Sequence, residues 1–187
     1  MGIVLVAFIM GSCGYQKHYV KTDYSLYLAD FKLHASSVLR TDGVYVLQKI
    51  WTSQNGGVEH IATERKMYKF YPGGQVNLIL DMDHVITSND AYVKAFNESI
   101  IRNEKNKGAT LFEGYYKIEG ARMVVQRMVT PRKLFSYDYF LLEKDSLIQV
   151  SSTIEGQGKI QDKHFTNHYK ASYTFVPTTG GYIDPNW

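Results

Sequence analysis

The chain has 187 residues, of which 44% are hydrophobic and 14% aromatic, and its formal net charge is +3. This length fits one domain with tails, and this apolar content excludes a wholly disordered chain. A charge of +3, from 21 basic and 18 acidic residues, is too small to indicate a nucleic-acid partner, and we expect none.

The N-terminal stretch is an apolar run, Ile3 to Met10, followed by Gly11, Ser12 and Cys13. The run is too short to span a bilayer, which takes about 20 helical residues, but it has the length of the hydrophobic region of a signal peptide. Met10 to Cys13 resembles the lipobox of bacterial lipoproteins. This resemblance implies a signal peptide over residues 1–12, cleaved just before Cys13, whose thiol then carries diacylglycerol. The alternative is a buried N-terminal strand with an incidental cysteine.

The region between Cys13 and the β-rich part of the chain divides into two stretches. The polar residues that follow Cys13 lack an apolar period, which indicates a tether. Residues 26–39 have mixed apolar spacing, and we predict a short helix that lies across one end of the domain. The lipidated cysteine, tether and short helix thus fill residues 13–40, the main domain runs over 41–177, and a tail forms 178–187.

Alternating apolar residues and turn signals predict eight strands in the main domain. The strands begin near residues 43, 64, 75, 110, 122, 135, 146 and 165. Short connections between successive strands favour an antiparallel barrel or sandwich, and a barrel leaves no exposed sheet edges. One helix, over residues 88–106, interrupts the series between strands 3 and 4, with Ser88 or Asn89 as its N-cap. We expect the helix to pack over a barrel mouth or on the outer wall.

Five motifs occur in order between residues 40 and 177 and together carry a family resemblance. They are Gly43-Val44-Tyr45, KFYPGGQV (69–76), GYYKIEGARMVVQ (114–126), KDSLIQV (144–150) and YTFVP (173–177). In this order they resemble the lipocalin-like lipoproteins of Bacteroidetes-type bacteria. The resemblance implies an all-β, eight-stranded antiparallel calycin barrel. It also implies a lipoprotein of a Gram-negative cell envelope. Cys13 is followed by Gly14, not Asp, and by no acidic cluster, which by resemblance to other lipoproteins favours the periplasmic face of the outer membrane over the surface.

Aromatic residues recur on the strand faces that we expect to point inward. They are Tyr45, Tyr68, Phe70, Tyr116, Tyr169, Tyr173 and Phe175. Tyrosine combines apolar contact area with a polar tip, which suits the wall of a ligand cavity. The alternative is that these rings fill the barrel, as side chains do in many small barrels.

Arg127 shares strand parity with Met123, Val125 and Val129. If this face points inward, Arg127 is a buried cation that meets an acidic group of a ligand. The opposite face of the same strand is equally apolar, so the alternative of a surface arginine stays open.

No residue pattern indicates a catalytic or metal site. The nucleophile elbow, the P-loop and the Rossmann glycine pattern are all missing from the sequence. Asp81 to His84 and the pair His164 and His168 contain metal-ligating residue types, but strand geometry separates their side chains. We therefore expect neither an enzyme nor a cofactor.

Two functions remain after these exclusions. In the first, a membrane-anchored barrel binds a small apolar or amphipathic molecule. In the second, a filled barrel acts as an accessory subunit of a cell-envelope assembly, with an envelope protein as its partner. The tail would then serve as a docking strand that presents Tyr182 and Trp187.

Overall fold

The computed structural model describes residues 20–106, 112–129 and 134–187. The predicted signal peptide and Cys13 lie outside these residues. The described chain forms nine strands and one α-helix. They are β1 (Gly43–Thr52), β2 (Glu59–Ile61), β3 (Lys66–Phe70), β4 (Gln75–Leu80), α1 (Asn89–Asn106), β5 (Glu113–Glu119), β6 (Arg122–Val129), β7 (Leu134–Glu143), β8 (Ser146–Thr153) and β9 (Tyr169–Pro177).

Eight of these strands close into an antiparallel barrel. Starting from β1, each of β3 to β9 pairs with the next in chain order, and β9 pairs back onto β1 from Gly43↔Pro177 to Thr52↔Tyr169. The predicted all-β barrel of eight antiparallel strands is therefore confirmed. Since the sheet returns to its first strand, the barrel itself has no free edge.

The ninth strand, β2, was not predicted. It pairs with the far half of β1 at Lys49↔Ile61 and Trp51↔Glu59, while β3 takes the near half at Tyr45↔Tyr68. A strand of three exposed residues has too short an alternation to be detected. Because β2 adds one to the count, α1 falls between β4 and β5, not between the third and fourth strands.

Helix α1 occupies the predicted residues and packs on the outer wall. Ser88 caps its start, since the Ser88 hydroxyl oxygen accepts a hydrogen bond from the Ala91 backbone N–H at 3.2 Å. The buried Tyr92 and Phe96 of the helix pack against Val44, Val46 and Met67, which face outward from β1 and β3.

The two ends of the barrel differ. At one end β1 begins, and residues 31–42 cross the opening, so we call it the capped end. The buried apolar side chains inside the barrel form one group, which we call the interior cluster. Phe31 and Leu33 pack against this cluster, and Leu39 belongs to it. Arg40 fixes the crossing segment, because its backbone N–H donates to the Tyr45 hydroxyl at 2.9 Å and its guanidinium pairs with Asp145 at 3.0 Å.

The predicted helix over residues 26–39 is wrong. This stretch consists of turns and extended chain, while the lone helical turn nearby is the 3-10 turn Lys21–Asp23. The segment does lie across one end of the domain, as predicted. Its apolar residues contact different parts of the barrel, Leu26 on the outer wall and Leu39 inside, so one amphipathic helix face would not serve them.

Candidate functional site

The predicted inward-facing aromatic residues do face the barrel interior. Six of the seven are buried in the interior cluster, and Tyr169 is partly buried at its margin; the six are Tyr45, Tyr68, Phe70, Tyr116, Tyr173 and Phe175. Successive residues of a strand point to opposite faces, and this alternation places the rings of β1, β3, β5 and β9 on one inner surface. Their contact with a ligand stays a prediction.

The interior rings contact one another in a continuous series. Tyr68 lies 5.4 Å from Tyr173 and 5.6 Å from Phe140, measured between ring centroids. Phe70 lies 5.3 Å from Tyr116, and this tyrosine reaches Phe31 of the cap at 5.2 Å. Edge-to-face contacts at these distances are favourable, so side chains fill the barrel from its middle to the capped end.

Arg127 also points inward, and its partner is an aspartate of the neighbouring strand. Its Nη2 atom lies 2.6 Å and its Nε atom 3.0 Å from Oδ2 of Asp138. The side chain of Arg127 is 14% exposed and that of Asp138 is 2% exposed. The inward alternative for Arg127 is therefore correct, but the acidic group that it meets belongs to the protein.

The Asp138 carboxylate is satisfied on both oxygens. Oδ1 accepts hydrogen bonds from Ser152 Oγ at 2.7 Å and Gln149 Nε2 at 3.3 Å, and Oδ2 also accepts one from the Tyr68 hydroxyl at 3.3 Å. The Tyr173 hydroxyl donates to Gln149 Oε1 at 3.2 Å. A buried charge with this many donors is held in one geometry, since losing any of them would leave a polar group unpaired.

Electrostatics favour the charged form of this pair. Burial acts to raise the pKa of Asp138, but the charges of Arg127 and Lys66 and the Ser152 hydrogen bond outweigh it and hold that pKa below its ordinary value. Burial likewise opposes the charge of Arg127, and the Asp138 carboxylate reverses the effect and raises the pKa. The Tyr68 hydroxyl beside the pair stays neutral, since burial raises the pKa of Tyr68 well above its ordinary value.

Lys66 is a second inward-facing cation, which was not among the residues predicted to line the interior. It begins β3 with the same parity as Tyr68 and Phe70, and its Nζ atom lies 5.2 Å from the centroid of the Tyr68 ring. Among the described residues Lys66 makes no ion pair and no hydrogen bond. Burial lowers the pKa of Lys66, an effect that Asp138 and Glu64 oppose and Arg127 reinforces. Strand parity alone could have revealed it.

These polar groups all lie toward the end opposite the cap, which we call the Lys66 end. At this end β3 and β9 begin and β8 finishes, so Lys66, Tyr169 and Ser152 come together. Lys66 and Tyr169 are partly exposed, and Ser152 is exposed. Two inward-facing cations, Lys66 and Arg127, lie near the inward carboxylate of Asp138, and the exposed Glu64 is close enough to act on the pKa of Lys66 and Tyr169.

The rim of the Lys66 end also carries exposed apolar side chains. Each belongs to a strand end or adjoins one: Ile61 is 83% exposed, Leu80 43%, Leu134 45% and Ile154 49%. Single exposed apolar residues are ordinary on a surface, but the topology brings these four to the same end of the barrel.

A surface groove of about 610 Å³ lies at the capped end. Phe31, Leu33 and Val38 of the crossing segment form one wall, and Ile118 and Leu142 belong to the other. Lys32 and Lys144 are also among the residues that line the groove, so it offers a second place for an amphipathic molecule.

The clusters with metal-ligating residue types have structural roles. The Asp81 carboxylate accepts the backbone N–H groups of Val85 at 3.1 Å and Ile86 at 2.9 Å, which fixes the loop before α1. His164 stacks on Tyr139 at 4.2 Å on the outer wall. Over residues 20–106, 112–129 and 134–187, no three His, Cys, Asp or Glu side chains are grouped in a way that could hold a metal ion.

The C-terminal tail packs on the barrel that it belongs to. The Asn97 side chain of α1 pairs with the tail on both sides, donating to Gly181 O at 3.1 Å and accepting from Ile183 N at 2.9 Å. Tyr182 lies over the buried Lys69, with Nζ 3.9 Å from the ring centroid, and Trp187 is partly buried against the outer wall. Both aromatic residues are thus partly buried against the barrel of the same chain, and a docking role for the tail stays a prediction.

Comparisons with known proteins identify no relative. The chain matches no family model, no curated protein and no solved structure. No helix within the described part of the chain is long and apolar enough to cross a membrane. The class that fold and site define is thus an antiparallel eight-stranded barrel with an aromatic interior and a charged end.

Proposed function

We propose that this protein is a lipoprotein of a Gram-negative cell envelope, anchored through acyl chains on Cys13, and that its barrel is lipocalin-like. The barrel binds a small amphipathic molecule non-covalently at the Lys66 end and catalyses no reaction. The anchor places it at the periplasmic face of the outer membrane.

One observation carries the binding function, the division of the interior side chains into two zones. Contacting aromatic rings fill the middle and the capped end, while Arg127, Asp138 and Lys66 gather at the other end. At the Lys66 end the partly exposed side chains of Lys66 and Tyr169 offer an amphipathic molecule a charged group and an aromatic surface. Sites of this kind join apolar walls to a few fixed polar groups.

The binding function is tested by native mass spectrometry of protein extracted from its own membranes, followed by thermal shift with lipids, haem and bile acids. A bound compound, or stabilisation by one ligand class, supports the proposal. A protein that carries nothing and is stabilised by none of these classes contradicts it.

The anchor is tested separately. Cys13→Ser removes the thiol that the lipobox resemblance implies as the acylation site, so the variant should accumulate as an unprocessed precursor of lower gel mobility. Equal mobility and equal membrane partition of variant and wild type would count against a lipid anchor.

A second function, the accessory subunit, is favoured by the filled interior and the apolar rim. The ring contacts around Tyr68 leave the core of the barrel occupied, and Ile61 and Ile154 are exposed where a partner could cover them. Co-purification of a stoichiometric envelope protein, together with absence of any small ligand, would favour this function over the first.

A further inference from the structure

The sequence indicated Arg127 as the cation that would meet an acidic group of a ligand, but Arg127 has a partner within the barrel. Arg127 directs Nε and Nη2 at Asp138, at 3.0 Å and 2.6 Å. This contact neutralises its charge inside the barrel, and separating the pair would leave Asp138 buried without its counter-ion. Arg127 is therefore an internal structural group.

Lys66 has the opposite environment. It is partly exposed, it points into the barrel, and an aromatic ring is its close neighbour, with Nζ 5.2 Å from the Tyr68 centroid. Its ammonium group makes no ion pair with any described carboxylate, and Asp138 already serves Arg127. A lysine side chain is flexible and carries three donors, so it can turn toward an arriving group.

The surroundings of Lys66 select the rest of the ligand. The rings of Tyr68 and Tyr173 are buried, so the apolar surface open to a ligand near Lys66 is that of the partly exposed Tyr169 and of the exposed Leu80, which pairs with Lys66 in the β3–β4 register. Arg127 and Asp138 offset each other, and the exposed Glu64, whose charge acts on the pKa of Lys66, makes no ion pair with it. Among the described residues Lys66 is therefore the inward cation that is left to meet an anionic group.

We propose that Lys66 binds the anionic group of the ligand, and that the ligand class is anionic amphiphiles whose apolar part lies against Tyr169 and the apolar residues of the rim. This inference rests on the proposed binding function and specifies its chemistry. A carboxylate, a sulfonate or a phosphate meets the requirement equally, because each gives a charge-assisted hydrogen bond to an ammonium group.

A matched pair of fluorescent probes tests the inference. Anilinonaphthalene sulfonate and phenylnaphthylamine share the same ring system and differ by one sulfonate. Both are titrated into the full chain in nanodiscs of zwitterionic phospholipid, with the signal of empty nanodiscs subtracted. Wild type, Lys66→Met and Lys66→Arg are compared, with Lys94→Met as the control, because Lys94 is an exposed lysine on α1 whose side chain is 75% exposed.

We expect wild type and Lys94→Met to prefer the sulfonate probe over the neutral probe. Lys66→Met should weaken sulfonate binding by about tenfold, the loss of one charge-assisted contact, and leave the neutral probe within about twofold. Lys66→Arg should retain most of the preference. An unchanged denaturation midpoint of Lys66→Met confirms that the variant is folded.

Three results would overturn the inference. If both probes bind and Lys66→Met leaves the sulfonate affinity unchanged, the barrel binds amphiphiles elsewhere, such as the groove at the capped end, and only the role of Lys66 fails. If the affinity of folded Lys66→Met falls equally for both probes, Lys66 shapes the site and does not bind the anionic group. If wild type binds neither probe, the proposed binding function fails together with the inference.

Discussion

Arg127 and Asp138 face each other from adjacent strands inside the barrel, with Nη2 of the guanidinium 2.6 Å from Oδ2 of the carboxylate. They are not directly opposite, since Arg127 pairs with Ser136 and Asp138 with Val125 in the β6–β7 register. The contact is the diagonal one that long side chains make across an antiparallel pair.

The first prediction concerns the free energy of unfolding contributed by this pair. Arg127→Met and Asp138→Asn should each lower it by about 3–5 kcal/mol, because each leaves the other charge buried without a partner. The double variant should lose clearly less than the sum of the two, and urea denaturation of all four proteins measures this. The control cycle uses Lys94 and Glu98, an exposed pair 3.9 Å apart, where coupling should not exceed about 0.5 kcal/mol. Additive losses at Arg127 and Asp138 would refute the coupling.

The second prediction is a loss of stability in acid. The pKa of Asp138 is lower in the folded protein than its ordinary value, about 3.9. As the pH falls, Asp138 therefore takes up a proton in the unfolded chain before it does so in the folded protein. The contribution of Asp138 to the free energy of unfolding is present above about pH 4 and is lost as the pH falls through the lower pKa of the folded state. The urea midpoint of wild type should fall below about pH 4, and that of Asp138→Asn should fall less steeply. Parallel curves for the two proteins would show that other carboxylates account for the acid sensitivity.

The third prediction concerns Lys69, which is 1% exposed beneath Tyr182 and donates a hydrogen bond to Thr41 O. Burial lowers the pKa of Lys69 to about 8, although Asp42 and Asp184 oppose the effect. Between this pH and the ordinary lysine value of about 10.4, the unfolded chain binds more protons than the folded one, so stability should rise with pH.

Lys69→Met removes this titration and should flatten the rise. Between about pH 8 and pH 9.5 the wild type should gain about 1.5 kcal/mol relative to the variant, as measured by urea denaturation at each pH. Higher pH is unsuitable for this measurement, because burial raises the pKa of Tyr45 to about 12. Above about pH 10 the tyrosines of the unfolded chain lose their protons while buried ones such as Tyr45 keep them, and this difference lowers the free energy of unfolding. An identical slope in wild type and variant would contradict a depressed pKa at Lys69.

The fourth prediction concerns Gly114, which lies opposite Arg127 in the β5–β6 register. A Cβ atom at Gly114 would lie 2.0 Å from Gln126 O and 3.0 Å from Cγ of Arg127. Gly114→Ala must therefore shift a backbone oxygen or displace Arg127, and we expect a loss of about 1–3 kcal/mol in the free energy of unfolding. Gly120→Ala serves as a partial control because nothing lies within 4 Å of its Cβ position, although its φ of +61° adds backbone strain. A larger loss at Gly120 than at Gly114 would refute the packing argument.

Several elements could be predicted from the sequence because their signals are local. The apolar residues of α1 recur at helical spacing and Ser88 is a suitable N-cap, so the helix could be predicted at the residues where it is observed. The alternation around Tyr68 and Phe70 likewise assigned both rings to the inner face. Local signals were insufficient for residues 26–39, where each apolar side chain contacts a different surface of the barrel.

The sequence by itself predicted the order of the eight barrel strands and the inward set of aromatic residues, because each depends on alternation and short connections within a few residues. The pattern left barrel and sandwich open, and the pairing of β9 with β1 decided for the barrel. Only the tertiary structure decided which charges meet. Arg127 and Asp138 are brought together by the register of two strands, and Lys66 arrives beside them from a strand far away in the chain, since closing the barrel converts distant positions into neighbours. The alternation of residues along a strand indicates which face of the sheet a side chain lies on, whereas the register between strands determines which side chain it contacts.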